Sequence, residues 1–356
     1  MELKFKNPAT AFMLFFMVFF ISIIIINELV VYVLINMGVA SEIFASTWYI
    51  IAIQVIRFVL PVFVWLAITN DKFKRHMPNQ PMDMLNIVYV SLITLLAIPA
   101  MMLVSGISSQ FANNDIADLL VGFTGAGHSW LMLMLAFAVT PGIVEELAFR
   151  GYIQSVSRGS VTKIAVFNGF LFGLMHLNLH QFAYTFILGA LFAYFVYYTK
   201  NIWSAIFAHF LVNGVNITMM YLVMRAADSS AELGTDQTIS QAMYDTFRET
   251  DPELAQIAYD AFSEINLVLL SLIMIGILAI FTTTAAVILF RVFIQHNNKR
   301  NAEFASTQIQ EPVIDTTGAP DYKEAMSPLA KVDWCLVLVI AIYILLTIVL
   351  PMVGTP

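Results

Sequence analysis

Cysteine is almost missing: the 356 residues hold one, Cys335. A single thiol excludes an intrachain disulfide and a thiolate cluster around a metal. Charge is scarce too. Asp, Glu, Lys and Arg make up 12% of the chain against 60% apolar residues, and the mean hydropathy is +0.81. That balance excludes an ordinary soluble domain, although the length alone would suit about two of them. No GxGxxG, no Walker loop and no basic-aromatic surface is present, so nucleotide and nucleic-acid roles lack support and no nucleic-acid partner is expected. The first apolar run follows Lys4 and Lys6 and lacks a small-residue cleavage site. It reads as a retained helix, not a signal peptide.

What is present is a series of Leu, Ile, Phe and Met runs, too long and continuous for barrel strands. A spanning helix needs roughly 20 apolar residues. Candidate spans run from Ala11 to Asn36, Ile43 to Thr69, Leu85 to Leu103, Trp130 to Gln154, Val161 to Leu177, Phe182 to Tyr198, Trp203 to Val223, Leu267 to Phe293 and Trp334 to Leu350. The expected fold class is therefore all-α, a polytopic transmembrane helical bundle of nine spans, or eight if one is re-entrant. With the N terminus in the cytoplasm, Lys4/Lys6, Lys72/Lys74/Arg75, Arg158, Lys200 and Lys299/Arg300/Lys323 all fall on inside links, as the positive-inside bias requires. The expected location is the cytoplasmic membrane of a bacterium, with the lipid bilayer as its surroundings. Four regions are expected: N-terminal helices over 1–129, a catalytic membrane core over 130–224, an acidic extracytoplasmic segment with short helices over 225–262, and C-terminal helices over 263–356 with a polar linker at 295–331. From Ala226 to Phe262 eight acidic residues face one arginine. Glu28 and Arg57 are expected to pair across the first two helices.

Ionisable residues inside the oily runs carry the chemistry, since such groups demand partners or a function. Glu145, Glu146 and Arg150 sit in the fourth run, behind Pro141, which is expected to kink the helix. Glu146 and Arg150 are four apart and lie on one face, with the acid N-terminal. Charge compensation accounts for that pair. Glu145 is rotated about 100° away and has no basic partner at i+3 or i+4; an unpaired buried carboxylate is a candidate acid or base. His176 closes the fifth run, and His180 four residues on is expected to be satisfied at an interface. His209, Asn213 and Asn216 form one polar stripe at helical spacing, expected to face inward. Asparagine there also serves as glue between membrane helices.

Glu145, His176 and His209 thus supply a carboxylate and two imidazoles from three helices. Such a trio can hold a hydrolytic metal, Zn2+ or another divalent ion, with an open position, or deprotonate water without one. Asn213 can donate to a developing oxyanion. The span map leaves one tension: His176 lies near the opposite end of its helix, on the order of 10 Å from the other two. Either the boundaries shift, or the helices are short and tilted with the link at Lys200 sunk. Interior Glu, His and Asn also occur in proton-coupled transporters, so a non-catalytic membrane protein is the alternative.

Glu145-Glu146-Leu147-Ala148-Phe149-Arg150, Phe172-Gly173-Leu174-Met175-His176 and His209-Phe210-Leu211-Val212-Asn213 resemble, in order, the EExxxR, FxxxH and HxxxN/B motifs of the CAAX-protease and bacteriocin-processing family, intramembrane relatives of the Rce1-type CAAX prenyl endopeptidases. The resemblance covers about Trp130 to Val223. It implies hydrolysis of a peptide bond in a membrane-associated peptide or protein. Glu145 and His176 would activate water, His209 and Asn213 would stabilise the oxyanion, and Glu146 and Arg150 would support the site. It leaves a metallopeptidase and a metal-free glutamate mechanism open. Some relatives are linked to bacteriocin immunity, a second form of the non-catalytic alternative.

Overall fold

The computed structural model describes residues 8–39, 43–44, 46–112, 122–123, 127–157, 159–232, 244–263, 267–308 and 334–349. Lys4, Lys6, Arg158 and Lys323 lie outside them. The helices are α1 (Pro8–Asn36), α2 (Thr47–Thr69), α3 (Met84–Ser108), α4 (Trp130–Val156), α5 (Val161–Met175), α6 (Leu179–Thr199), α7 (Trp203–Glu232), α8 (Pro252–Ser263), α9 (Leu267–Gln308) and α10 (Trp334–Ile344). Among the described residues there is no sheet, only one isolated bridge between Asn79 and Asn201. The fold is all-α.

Among the described residues seven helices are long and apolar enough to cross a membrane: α1, α2, α3, α4, α6, α7 and α9. The chain is an integral membrane protein. Two of the nine expected spans are shorter apolar helices, α5 with 15 residues and the C-terminal one around α10. At 1.5 Å per residue α5 covers about 22 Å, less than the hydrocarbon core. The expected linker from 295 also starts as helix, because α9 continues unbroken to Gln308. Its polar extension is held by the bundle: Arg300 donates to the carbonyls of Thr199 and Pro81, and Asn297 to Asn86. In the acidic segment α8 is amphipathic and is one of the short helices expected there; residues 233–243 lie outside the description.

Local sequence explains where the helices start. Ser46, Asp83, Ser129, Ser160 and Asn178 each accept a backbone N–H from the first turn of the helix that follows, satisfying a donor that has no partner within the helix. Asn70 and Lys200 close α2 and α6 in the left-handed conformation, at φ 53° and 55°.

The link after α6 is sunk into the bundle. Thr199 and Asn201 are buried; Ile202 donates to the Pro78 carbonyl, Gln80 to that of Lys200, and the Asn201 amide to that of Gln80. Lys200 rests its ammonium 4.1 Å from the Tyr197 ring centroid, and burial pushes its pKa down. His76, beside Lys74 and Arg75, meets Ser155 at the end of α4 at 2.6 Å. The basic links around 72–75, 200 and 299–300 therefore gather at one end of the bundle.

Among the described residues the interior holds three apolar clusters. One joins α1, α2, α4, α5 and α10 through residues such as Phe19, Phe149, Phe172 and Val339; a second joins α3, α6, α7 and α9 through Val90, Phe192, Ala208 and Phe293; a third joins α4 and α7 through Leu133, Met134, Ala138 and Ile217. Where α5 crosses α6 the backbones nearly touch. A methyl group on Gly169 would stand 2.5 Å from the Phe186 carbonyl oxygen and 2.7 Å from the Ala190 nitrogen, whereas one on Gly276 would meet only Leu103 at 3.9 Å. Gly169→Ala is expected to lower unfolding stability in detergent by about 1–3 kcal/mol through overpacking, and Gly276→Ala to leave it unchanged. Equal thermal midpoints for the two variants would contradict this account of the crossing.

Candidate active site

The helix that carries both glutamates is not a regular one. It is α-helical over Trp130–Met134, π-helical over Leu135–Val139, α-helical over Thr140–Glu146 and π-helical again over Leu147–Ile153. π turns insert a residue into the helical register, and they recur at functional sites. Pro141 has no N–H to continue the ladder and stands where the first π segment gives way to α. The Thr140 hydroxyl donates to the Leu135 carbonyl, five residues back, at 2.7 Å. The kink expected at Pro141 thus coincides with a change of register. Gly142 lets α7 approach: a methyl there would lie 3.4 Å from the Phe210 nitrogen.

Glu146 is fully buried and divides its two oxygens. Oε2 lies 3.1 Å from Arg150 Nε, and Oε1 takes a 2.8 Å contact from His209 Nδ1. The first is an ion pair without hydrogen-bond alignment, since neither atom has a hydrogen-bond partner. Arg150 spends Nη2 on the Gly189 carbonyl at 2.7 Å and packs its guanidinium among three rings, with centroids at 4.7 Å for Phe172, 5.6 Å for Phe192 and 5.8 Å for Phe149. Phe172 belongs to the first apolar cluster and Phe192 to the second. Arg150 pins the seam between them.

The imidazoles are held the same way. A carbonyl or an ionised carboxylate only accepts, so the ring nitrogen facing it carries the proton. His176 caps the short helix α5 and donates Nδ1–H to the Phe172 carbonyl at 2.8 Å. His209 donates Nδ1–H to Glu146. Phe172 lies edge-on to both rings, 4.9 Å from His176 and 5.9 Å from His209, and Phe192 stacks on His209 at 5.4 Å. Each histidine keeps Nε2 for other work. α5 is short and the link before α7 is sunk, the alternative to shifted boundaries that the span map left open.

Glu145 is buried, and its Oε2 has no hydrogen-bond partner. The charges it senses are His209, Glu146, Arg150 and Arg57. Asn213, one turn beyond His209, is half-buried. Asn216 is exposed, a correction to the inward stripe: seven residues after His209 on a slightly rotating helix face, it has turned out of the bundle. His180 is buried with Nε2 at 3.1 Å from Ser105 Oγ on α3, an interface contact. Glu28 is exposed on α1, and no ion pair among the described residues includes Arg57. No Glu28–Arg57 ion pair is seen among the described residues; Glu145 is the carboxylate whose charge bears on Arg57.

Among the described residues no group of three His, Cys, Asp or Glu side chains is arranged to hold a metal ion. The donor chemistry of two Nδ1-anchored imidazoles suits one, but Glu145, His176 and His209 do not stand as a three-ligand set. Sequence reasoning missed Phe192 and Gly189, neither of which lies in a charged motif.

Residues 127–215, about a quarter of the chain, match the family model described as type II CAAX prenyl endopeptidase, Rce1-like. No curated protein and no solved structure matches the chain.

Proposed function

We propose that this chain is an intramembrane protease that hydrolyses a peptide bond in a membrane-associated peptide or protein with water activated by Glu145, a reading supported by the match of residues 127–215 to the Rce1-like type II CAAX prenyl endopeptidase model. The supporting observation is a buried carboxylate oxygen without a protein partner, beside two imidazoles that are both anchored through Nδ1. Water hydrogen-bonded to Glu145 Oε2 and His176 Nε2 gives its proton to the carboxylate as its oxygen bonds to the scissile carbonyl carbon. The carbonyl electron pair moves onto oxygen, where the Asn213 amide and His209, acting as an imidazolium with its Nδ1–H kept on Glu146, donate to it. Collapse reforms the carbonyl and breaks the C–N bond, and Glu145 returns the proton to the departing amine. Glu146 and Arg150 touch no reacting atom; they position His209. The basic end of the bundle faces the cytoplasm in this reading.

A divalent metal such as Zn2+ on Glu145, His176 and His209 is a second reading, favoured by the shared Nδ1 anchoring. Bound there, it would supply Lewis-acid polarisation of the carbonyl or the water.

Purified protein in proteoliposomes is expected to cleave membrane-associated peptides, and His209→Ala to reduce kcat by about 10²–10³-fold, the size of a lost oxyanion donor. Unchanged cleavage in His209→Ala would remove His209 from the reaction. Activity lost on chelation and restored by added metal selects the second reading; activity indifferent to chelation selects the first. Ion-dependent uptake with no cleavage would replace both by a non-catalytic carrier, and peptide binding without cleavage by an immunity protein.

A further inference from the structure

The C-terminal helix α10 has no task in the proposed reaction and lies outside residues 127–215. It nevertheless reaches the turn that carries His176. That turn is strained. His176 ends α5, and Leu177 beyond it stands at φ 50°, in the left-handed region. Glycine usually fills this place after a helix end, because a Cβ is crowded there. A leucine holds such a conformation only where its surroundings fix it.

The surroundings come in part from α10. Leu177 packs against the apolar cluster that includes Val339 and Tyr343. The Tyr343 hydroxyl donates to the Asn178 carbonyl at 3.3 Å, and the Tyr343 ring meets that of Phe182 at 5.7 Å between centroids. Phe182 in turn closes on the last turn of α5: a methyl group on Gly173 would stand 3.0 Å from it. One buried tyrosine of α10 therefore touches the residue after Leu177 and the first turn of α6 together. His176 has its ring anchored by Nδ1–H on the Phe172 carbonyl, which sets its tautomer and orientation. The place of its backbone is set by the turn.

We infer that Tyr343 is a positioning residue: through the Asn178 carbonyl it holds the left-handed turn at Leu177, and so fixes where His176 presents Nε2 to the water beside Glu145. The inference rests on the peptidase reading above. Tyr343 itself touches no reacting atom.

The test compares Tyr343→Phe with Val339→Ala, in the full chain in proteoliposomes. Both alter α10, but only the first removes a bond to the turn. Tyr343→Phe keeps the ring against Phe182 and is expected to lower kcat about tenfold at unchanged KM, since misplacing a water-activating group costs rate and not binding. Val339→Ala opens a cavity at a fully buried position. It is expected to lower the thermal midpoint more than Tyr343→Phe does while leaving kcat unchanged. In a His176→Ala background Tyr343→Phe is expected to slow the reaction no further, because residues that act through one another are not additive. Leu177→Gly, which frees the same turn, serves if Tyr343→Phe does not fold, and is likewise expected to lower kcat at unchanged KM. An unchanged kcat in Tyr343→Phe or Leu177→Gly would overturn the inference. So would kcat losses that simply follow the thermal midpoint in both α10 variants, or a full tenfold loss retained without His176. No cleavage by the wild-type protein would overturn the peptidase reading itself, and the inference with it.

Discussion

Replacing Glu145 by glutamine is expected to lower peptide hydrolysis by about 10²–10⁴-fold, the contribution of a positioned general base, without lowering stability. The two halves of this expectation come from one fact. Glu145 Oε2 is buried and has no protein hydrogen-bond partner, so the isosteric amide breaks no bond in the resting protein. It removes a carboxylate that burial disfavours, and the unfolding midpoint should hold or rise. The amide cannot accept the proton of water, and the chemical step is lost. Glu146→Gln provides the contrast. That residue holds Arg150 at 3.1 Å and His209 at 2.8 Å, so its amide weakens two contacts to cations or N–H donors and should cost both stability and activity. Hydrolysis rates and thermal midpoints measured together on both variants separate the roles. Hydrolysis by Glu145→Gln within about threefold of wild type would end the assignment of Glu145 as the base.

Much of this arrangement was legible before any coordinates, and the parts that were not share a cause. Glu146 and Arg150 announce their pairing by a four-residue spacing, which local helix geometry alone enforces. The Glu146–His209 contact joins residues 63 apart, and no spacing predicts which face of α7 meets which face of α4. In a membrane the lipid-facing and core-facing sides are equally apolar, so the periodicity that orients a soluble helix is absent. Asn216 was placed inward for that reason and is exposed. Arg57 was matched to Glu28 because both were lone charges on neighbouring spans; the carboxylate charge that bears on it belongs to Glu145, 88 residues on. Hydropathy counts α5 and α10 as spans too, although as helices they are shorter than the other seven. The π segments around Thr140–Glu146 leave no mark in composition beyond Pro141. The motif residues were visible; the aromatic frame that holds them was not.

That frame predicts the largest loss of stability. Arg150→Met is expected to destabilise the protein by about 3–5 kcal/mol, the cost of breaking a buried pair by removing one partner. Methionine fills part of the space between Phe172 and Phe192, so the cavity left behind is small. What remains is Glu146, completely buried, with His209 as its other partner among the described residues and a carboxylate charge no longer neutralised by the guanidinium. The Gly189 carbonyl loses its 2.7 Å donor as well. If the penalty comes from the orphaned carboxylate and not from lost packing, removing that charge should recover most of it. The double variant Glu146→Gln/Arg150→Met is therefore expected to unfold closer to wild type than Arg150→Met does, while remaining inactive because His209 has lost the acceptor that orients it. Chemical denaturation in detergent reads the stabilities, and peptide hydrolysis reads the site. Stability recovered without activity is the signature of a charge pair that positions a catalytic imidazole. A double variant no more stable than Arg150→Met would instead locate the contribution of Arg150 in its stacking against the three phenylalanine rings, worth about 2 kcal/mol for a desolvated contact.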